Sequence, residues 1–171
     1  MVSCNEVGDK YVKWIYYTAN EAVCSRFLHS VWYLIAQDIN SDKEFAQVLA
    51  NNEYVKCYIL VDKCYNNPIA FVYVKRESLQ DGIVSIHGGG WNKSMRLSIL
   101  YYRGITLLIE YLQNRGIKVR TSCLIGNTRA LRFLYSIGFV KYRTTDTHIY
   151  MWINEKRLKQ TSIYKRYCKQ S

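Results

Sequence analysis

The chain has 171 residues, 49% of them hydrophobic and 22% charged, with one proline and nine glycines. That length corresponds to one domain able to bury about 70% of its unfolded surface, so no disulfide or structural metal is needed, and the composition excludes a disordered or fibrous chain. Two values stand out: sixteen tyrosines within 15% aromatics, and 24 Lys+Arg against 13 Asp+Glu, a formal charge of +11. No apolar run approaches the roughly 20 residues of a membrane span, and Met1–Glu6 reads without a signal peptide, so a cytoplasmic protein that is neither secreted nor membrane-bound is expected.

The first strand is expected over Lys10–Tyr17, where Val12, Trp14 and Tyr16 alternate with Tyr11, Lys13, Ile15 and Tyr17. Asn20 then reads as an N-cap for a helix carrying Val23, Phe27, Val31 and Leu34 to about Ala36. Ser41 opens a second helix with Phe45, Val48 and Leu49, and Asp42 and Glu44 suit its positive N-terminal end. Strands follow over Tyr54–Asp62 and Ile69–Val74 around a turn at Asn66-Asn67-Pro68, and again from Gly82 to Trp91. A helix whose apolar face includes Leu100, Leu107, Leu108 and Tyr111 ends at Gly116, a residue suited to a left-handed C-cap. Val119–Ile125 is a strand, Thr128–Ile137 a helix, and Phe139–Asn154 two strands around Asp146.

The order β-α-α-β-β-β-α-β-α-β-β argues a mixed α/β (α+β) domain, a mainly antiparallel sheet flanked by helices. Hairpins make the first four strands antiparallel, and the unit from Gly82 to Ile125 is a parallel crossover. Residues 1–154 form this single domain. Residues 155–171 read as a basic C-terminal tail, with six Lys/Arg against Glu155 and nearly half of the net charge. Two uses of such a tail stand side by side, a solvated extension or a contact with an acidic macromolecule.

Six cysteines (Cys4, Cys24, Cys57, Cys64, Cys123, Cys168) contain no CxxC, and three histidines lie far apart, so no metal site is expected and the thiols read as free in a reducing compartment. The segment Asn127-Thr128-Arg129-Ala130-Leu131-Arg132-Phe133-Leu134-Tyr135-Ser136-Ile137-Gly138-Phe139 is more informative. Asn127 suits an N-cap, Ala130, Phe133, Leu134 and Ile137 make an apolar stripe, and Gly138 ends the helix. With the order of elements, this segment resembles the GCN5-related N-acetyltransferases (GNAT) at Asn127, Ala130, Tyr135, Gly138 and Phe139.

The resemblance implies acetyl-CoA as co-substrate and direct attack by a primary amine of unidentified identity. It also implies a site between the fourth and fifth strands. Tyr135 then corresponds to the general acid for the departing thiolate; its other reading is a packing tyrosine. His87 shares a strand face with Gly89 and Trp91 and is either the general base or a hydrogen-bonded core histidine. Gly88-Gly89-Gly90, where the family's strand splays to admit the pantetheine arm, marks a bulge or a close backbone approach, or else an irregular edge or turn. Counting back from Gly116 places the family's pyrophosphate loop at Arg96-Leu97-Ser98-Ile99-Leu100-Tyr101, where Ile99 and Tyr101 occupy its glycine positions and Lys93, Arg96 and Ser98 offer charge and a hydroxyl. The cofactor-binding set is therefore Gly89, Trp91, Arg96, Ser98, Ile99, Tyr101 and Asn127. A reading of another class keeps the fold without catalysis, as a structural or assembly subunit, for example in a virus particle.

Overall fold

The computed structural model describes residues 7–17, 55–77, 82–90 and 94–168. The helices expected from Asn20 and from Ser41, together with Trp91 and Lys93, lie outside the described residues. Strand β1 is Val12–Tyr17, β2 Val55–Asp62, β3 Asn67–Arg76 and β4 Ile83–Gly90; helix α1 (Met95–Gln113) leads to β5 (Lys118–Leu124), and α2 (Thr128–Ser136) to β6 (Val140–Thr144) and β7 (His148–Ile153). Two short helices follow, α3 (Glu155–Gln160) and α4 (Ser162–Tyr167).

The strands form one sheet in the order β1-β2-β3-β4-β5-β7-β6. All pairs are antiparallel except β4–β5, because α1 carries the chain back across the sheet before β5 begins. This matches the expected class and pairing directions. The β2–β3 turn differs slightly: residues 63–66 make it, Asn66 adopts positive φ, and Pro68 already sits in β3 opposite Val61. The register shift between Leu60 and Val61 accommodates a residue without an N–H.

Alternation sorts the strands into two faces. On the inner face Val12, Trp14, Leu60, Val72, Ile86 and Met151 pack with Ile105, Leu108 and Ile109 of α1 and Leu134 of α2. The Trp14 indole N–H donates to the Gly104 carbonyl of α1 at 2.8 Å, so the largest core side chain also fixes that helix over β1. On the outer face Cys57, Ile59 and Phe71 are buried as well.

The segment after Asn154 corrects the expectation of a basic tail beyond the domain. Asn154 caps α3 by accepting from the Arg157 N–H at 2.8 Å, and Thr161 caps α4 by accepting from the Tyr164 N–H at 3.1 Å. Leu158 is wholly buried, Ile163 and Tyr164 pack against the core, and the Tyr164 hydroxyl bonds the Glu110 carboxylate of α1. Lys156, Lys159, Lys165 and Arg166 are the exposed faces of these two amphipathic turns. Gly138, at φ 102°, lies beneath them: a Cβ there would stand 3.0 Å from the Thr161 methyl and 3.2 Å from the Arg157 carbonyl. Leu158→Ala is expected to cost about 2–5 kcal/mol in urea unfolding, the range for emptying a buried leucine site, where a solvated tail would show almost none.

Candidate functional site

The parallel pair β4–β5 is short. Only Ile83, Val84 and Ser85 pair with Lys118, Val119 and Arg120. Beyond them β4 continues against β3 as far as Gly90, and β5 continues against β7 as far as Leu124. The two strands thus part into a fork, and the Thr121 hydroxyl, buried at its apex, donates to the Ile86 carbonyl at 2.8 Å. The fork opens toward the carboxyl ends of both strands, where a switch of strand direction leaves room for a ligand. From that end β4 leads to the N-terminus of α1 and β5 to the N-terminus of α2, so two partial positive charges flank the opening. Ser94 caps α1 by accepting from the Leu97 N–H at 3.2 Å, and Asn127 caps α2 by accepting from the Ala130 N–H at 3.1 Å.

The residues singled out in the sequence are distributed around this fork. His87 projects from the outer face of β4, paired with Tyr73 of β3 and stacked on its ring at 5.0 Å and 20°. Gly88 and Gly89 keep regular register with Val72 and Phe71, without a bulge. Gly88 answers to β3 itself, since a Cβ there would fall 2.3 Å from the Phe71 carbonyl oxygen and 2.7 Å from Val72 Cγ2. The gap between the two strands therefore comes from the parting of β5, not from a bulge in β4. Tyr135, 50% exposed, lies on α2, which packs on the inner face, so its helix and His87 stand on opposite sides of the sheet.

The expected pyrophosphate loop is corrected. Arg96–Tyr101 is not a loop but the first turns of α1, whose cap is Ser94. Helix formation engages the amides of Ser98, Ile99 and Tyr101, with the Ser98 N–H already donating to the Ser94 carbonyl, so these residues offer no N–H to an anion. The donors left at this end are those of Met95 and Arg96, since Leu97 is taken by the cap. Tyr101 instead bridges helices, stacking on Phe133 of α2 at 5.0 Å and 21°, and burial pushes its hydroxyl well above the usual tyrosine range.

Two residues that carry this site were not read from the sequence as functional. Thr121 looked like any β-branched strand residue, and Asp62 like the end of a strand before a turn. Asp62, 1% exposed, binds the Arg96 guanidinium at 2.5 Å and accepts from the Cys64 N–H at 2.9 Å, while Arg96 also lies over the Tyr65 ring at 4.7 Å. The β2–β3 turn is thereby tied to the first turn of α1. Burial by itself would raise the Asp62 pKa, but the hydrogen bond and charge of Arg96 and the N–H groups of Cys64 and Tyr65 outweigh it and hold the carboxyl below its usual range. Cys123, at the inner edge of the fork, is pushed the other way: burial raises its pKa and keeps it a thiol, a poor nucleophile.

No protein-family model and no curated protein matches this sequence. Solved structures do match. A probable acetyltransferase of the GNAT family from Chromobacterium violaceum superposes with TM-score 0.70 at 12% identity, covering 91% of this chain and 89% of that one. The aminoglycoside enzyme AAC(6')-Ib in complex with ribostamycin and coenzyme A gives 0.65 at 18%, covering 90% and 98%. Spermidine N-acetyltransferase from Vibrio cholerae in complex with CoA and spermine gives 0.64 at 12%, covering 88% and 99%. The chain has the GNAT fold.

Thr121→Val keeps the shape of the side chain but leaves the buried Ile86 carbonyl unpaired, so denaturant unfolding is expected to show a loss of about 1–3 kcal/mol. Because the Asp62 pKa is lowered in the folded state, its ion pair stabilises the protein above the ordinary carboxylate pKa of about 4, and that stabilisation disappears as pH falls through the lower folded value. Asp62→Asn should accordingly lower Tm at pH 7, with the gap to the parent closing below about pH 4 in melts recorded down to pH 3. A pH-independent gap would assign the effect to packing alone.

Proposed function

We propose that this chain is an acetyl-CoA-dependent N-acetyltransferase that passes the acetyl group directly to a primary amine. The observation that carries the reading is the fork between β4 and β5, which opens both faces of the sheet to each other below two helix N-termini. An extended thioester arm fits such a gap because the edges of β4 and β5 beyond Ser85 and Arg120 face each other without a ladder. Its diphosphate is assigned to the N-terminus of α1, where the Met95 and Arg96 N–H groups and the Arg96 side chain, 47% exposed, supply donors and charge. Neighbours in structure space hold CoA or acetyl-CoA, which supports the same class of co-substrate.

The acceptor amine approaches from the outer face, and His87 removes its proton. The nitrogen then attacks the carbonyl, the C–S bond breaks, and Tyr135, on the inner side, returns a proton to the departing thiolate. Base and acid on opposite faces suit a displacement in which the nucleophile arrives on one side of the sheet and the leaving group departs on the other. Cys123, held as a thiol, has no part in it.

Acetyl-CoA at 100-fold over its Kd should raise Tm by about 5–10 °C, since that excess contributes about 2.7 kcal/mol to a folded domain of this size. Arg96→Glu should remove the shift. No shift at millimolar acetyl-CoA would overturn the reading in favour of a fold retained for assembly. Given binding, His87→Ala and Tyr135→Phe should each lower kcat by at least about tenfold, with KM for acetyl-CoA within about twofold. An unchanged kcat in either variant removes that residue from its assigned step.

A further inference from the structure

A second feature lies on the outer face, over β5, β7 and β6, and plays no part in the proposed chemistry. The register sets Arg120 opposite Trp152, Ser122 opposite Tyr150, and Tyr150 opposite Arg143. On this face Arg120, Tyr142, Tyr150, Arg143 and His148 form a run of rings and guanidinium groups, with Trp152 beside it by register. Arg120 lies over the Tyr142 ring at 5.3 Å, Tyr142 meets Tyr150 at 6.5 Å, Arg143 lies over Tyr150 at 5.5 Å, and His148 meets Tyr150 at 6.3 Å. Tyr142 is 47% exposed and Trp152 39%, large values for aromatic side chains on a sheet.

The bulge between Lys141 and Arg143 lifts Tyr142 out of the ladder onto this face. The charge there is one-sided. Lys75 and Lys118 continue the row of Arg120 and Arg143 across β3 and β5. Among the described residues Glu77 is the one carboxylate beside these strands, and Arg120 already holds it at 3.4 Å; Asp146 lies beyond, in the β6–β7 turn.

We propose that the outer face of β5-β7-β6 binds single-stranded nucleic acid, its bases stacking on Tyr142, Tyr150 and Trp152 and its phosphates meeting Arg120, Arg143 and Lys118. Alternating rings and cations on an open sheet match both the flat bases and the regular negative charge of a single strand. A protein strand added to the β6 edge fits less well, because the bulge and the flanking Lys141 and Arg143 interrupt that edge. A duplex hides its base faces and would leave the rings without partners. This inference is independent of acetyl transfer.

The test is fluorescence anisotropy of a fluorescein-labelled twelve-nucleotide oligothymidylate, with 1 mM CoA present so that phosphate recognition at α1 does not contribute. Binding tighter than to a twelve-base-pair duplex is expected, with affinity falling steeply as salt rises. Tyr142→Ala and Tyr150→Ala should each weaken it about tenfold, the scale of one lost base stack, and Tyr142→Phe should restore it. Arg143→Glu, at an exposed position whose substitution leaves the core intact, should weaken it at least as much. Lys159→Glu with Lys165→Glu, on the opposite, helical side, should change it by no more than about twofold.

No binding at 50 µM protein in 50 mM salt, equal loss in the Lys159/Lys165 variant, or wild-type affinity in both Arg143→Glu and the Tyr142→Ala/Tyr150→Ala double variant would overturn the proposal. Displacement by polyglutamate as effective as by unlabelled oligonucleotide would assign the face to an acidic polypeptide instead. Loss of oligonucleotide binding with the acetyl-CoA shift intact would show the two sites to be separate.

Discussion

The structure turns on how early β4 and β5 stop pairing. In a sheet otherwise antiparallel, the β1–β4 half and the β5–β7 half are laddered, among the described residues, by one parallel contact of three residue pairs. The Thr121 hydroxyl bond to the Ile86 carbonyl closes that join just where the ladder ends. A carbonyl left inside the sheet without a partner would be costly, and a threonine at this one position removes the cost while leaving the strands beyond free to diverge. Two helix N-termini at the mouth and an unladdered gap between the edges of β4 and β5 follow from that parting.

Around the fork, side chains that look available in the sequence are engaged in holding elements together. Arg96 ties α1 to the β2–β3 turn through buried Asp62, Tyr101 ties α1 to α2 through Phe133, and Tyr164 ties α4 to Glu110. The cations behave likewise. Those of the last segment are the wet sides of two short helices that bury Leu158, whereas those of β5 and β6 sit on tyrosine rings across an exposed sheet face. A net charge of +11 therefore resolves into local roles and is not a single basic patch.

Much of the fold was legible because its signals are local. Alternation in Val12–Tyr17, the hairpin around Asn66, and the capped amphipathic helix from Asn127 to Gly138 each require only a few neighbouring residues to be recognised. The beginning of α1 is less legible for the same reason. The Ser94 hydroxyl caps the helix ahead of Arg96, so the stretch a count back from Gly116 marks as a phosphate loop is regular helical backbone. Of the two meanings a glycine run in a strand carries, Gly88 shows the close backbone approach and not the bulge, and what approaches is Phe71 and Val72 on β3, a contact between residues far apart in the chain.

By itself the sequence determined the order and type of the described elements from β1 to β7, the antiparallel hairpins and the parallel crossover, because hydrophobic period, caps and turn residues act over a few positions. It also singled out the α2 segment by its resemblance to acetyltransferases. Only the tertiary structure decided that the last basic segment belongs to the domain, that Asp62 holds Arg96, that His87 and the helix of Tyr135 stand on opposite sides of the sheet, and that arginines and tyrosines of β5, β6 and β7 line up on one face. Each of these depends on strand register and on helix docking, which join residues distant in sequence, and no local pattern of residue types carries that information.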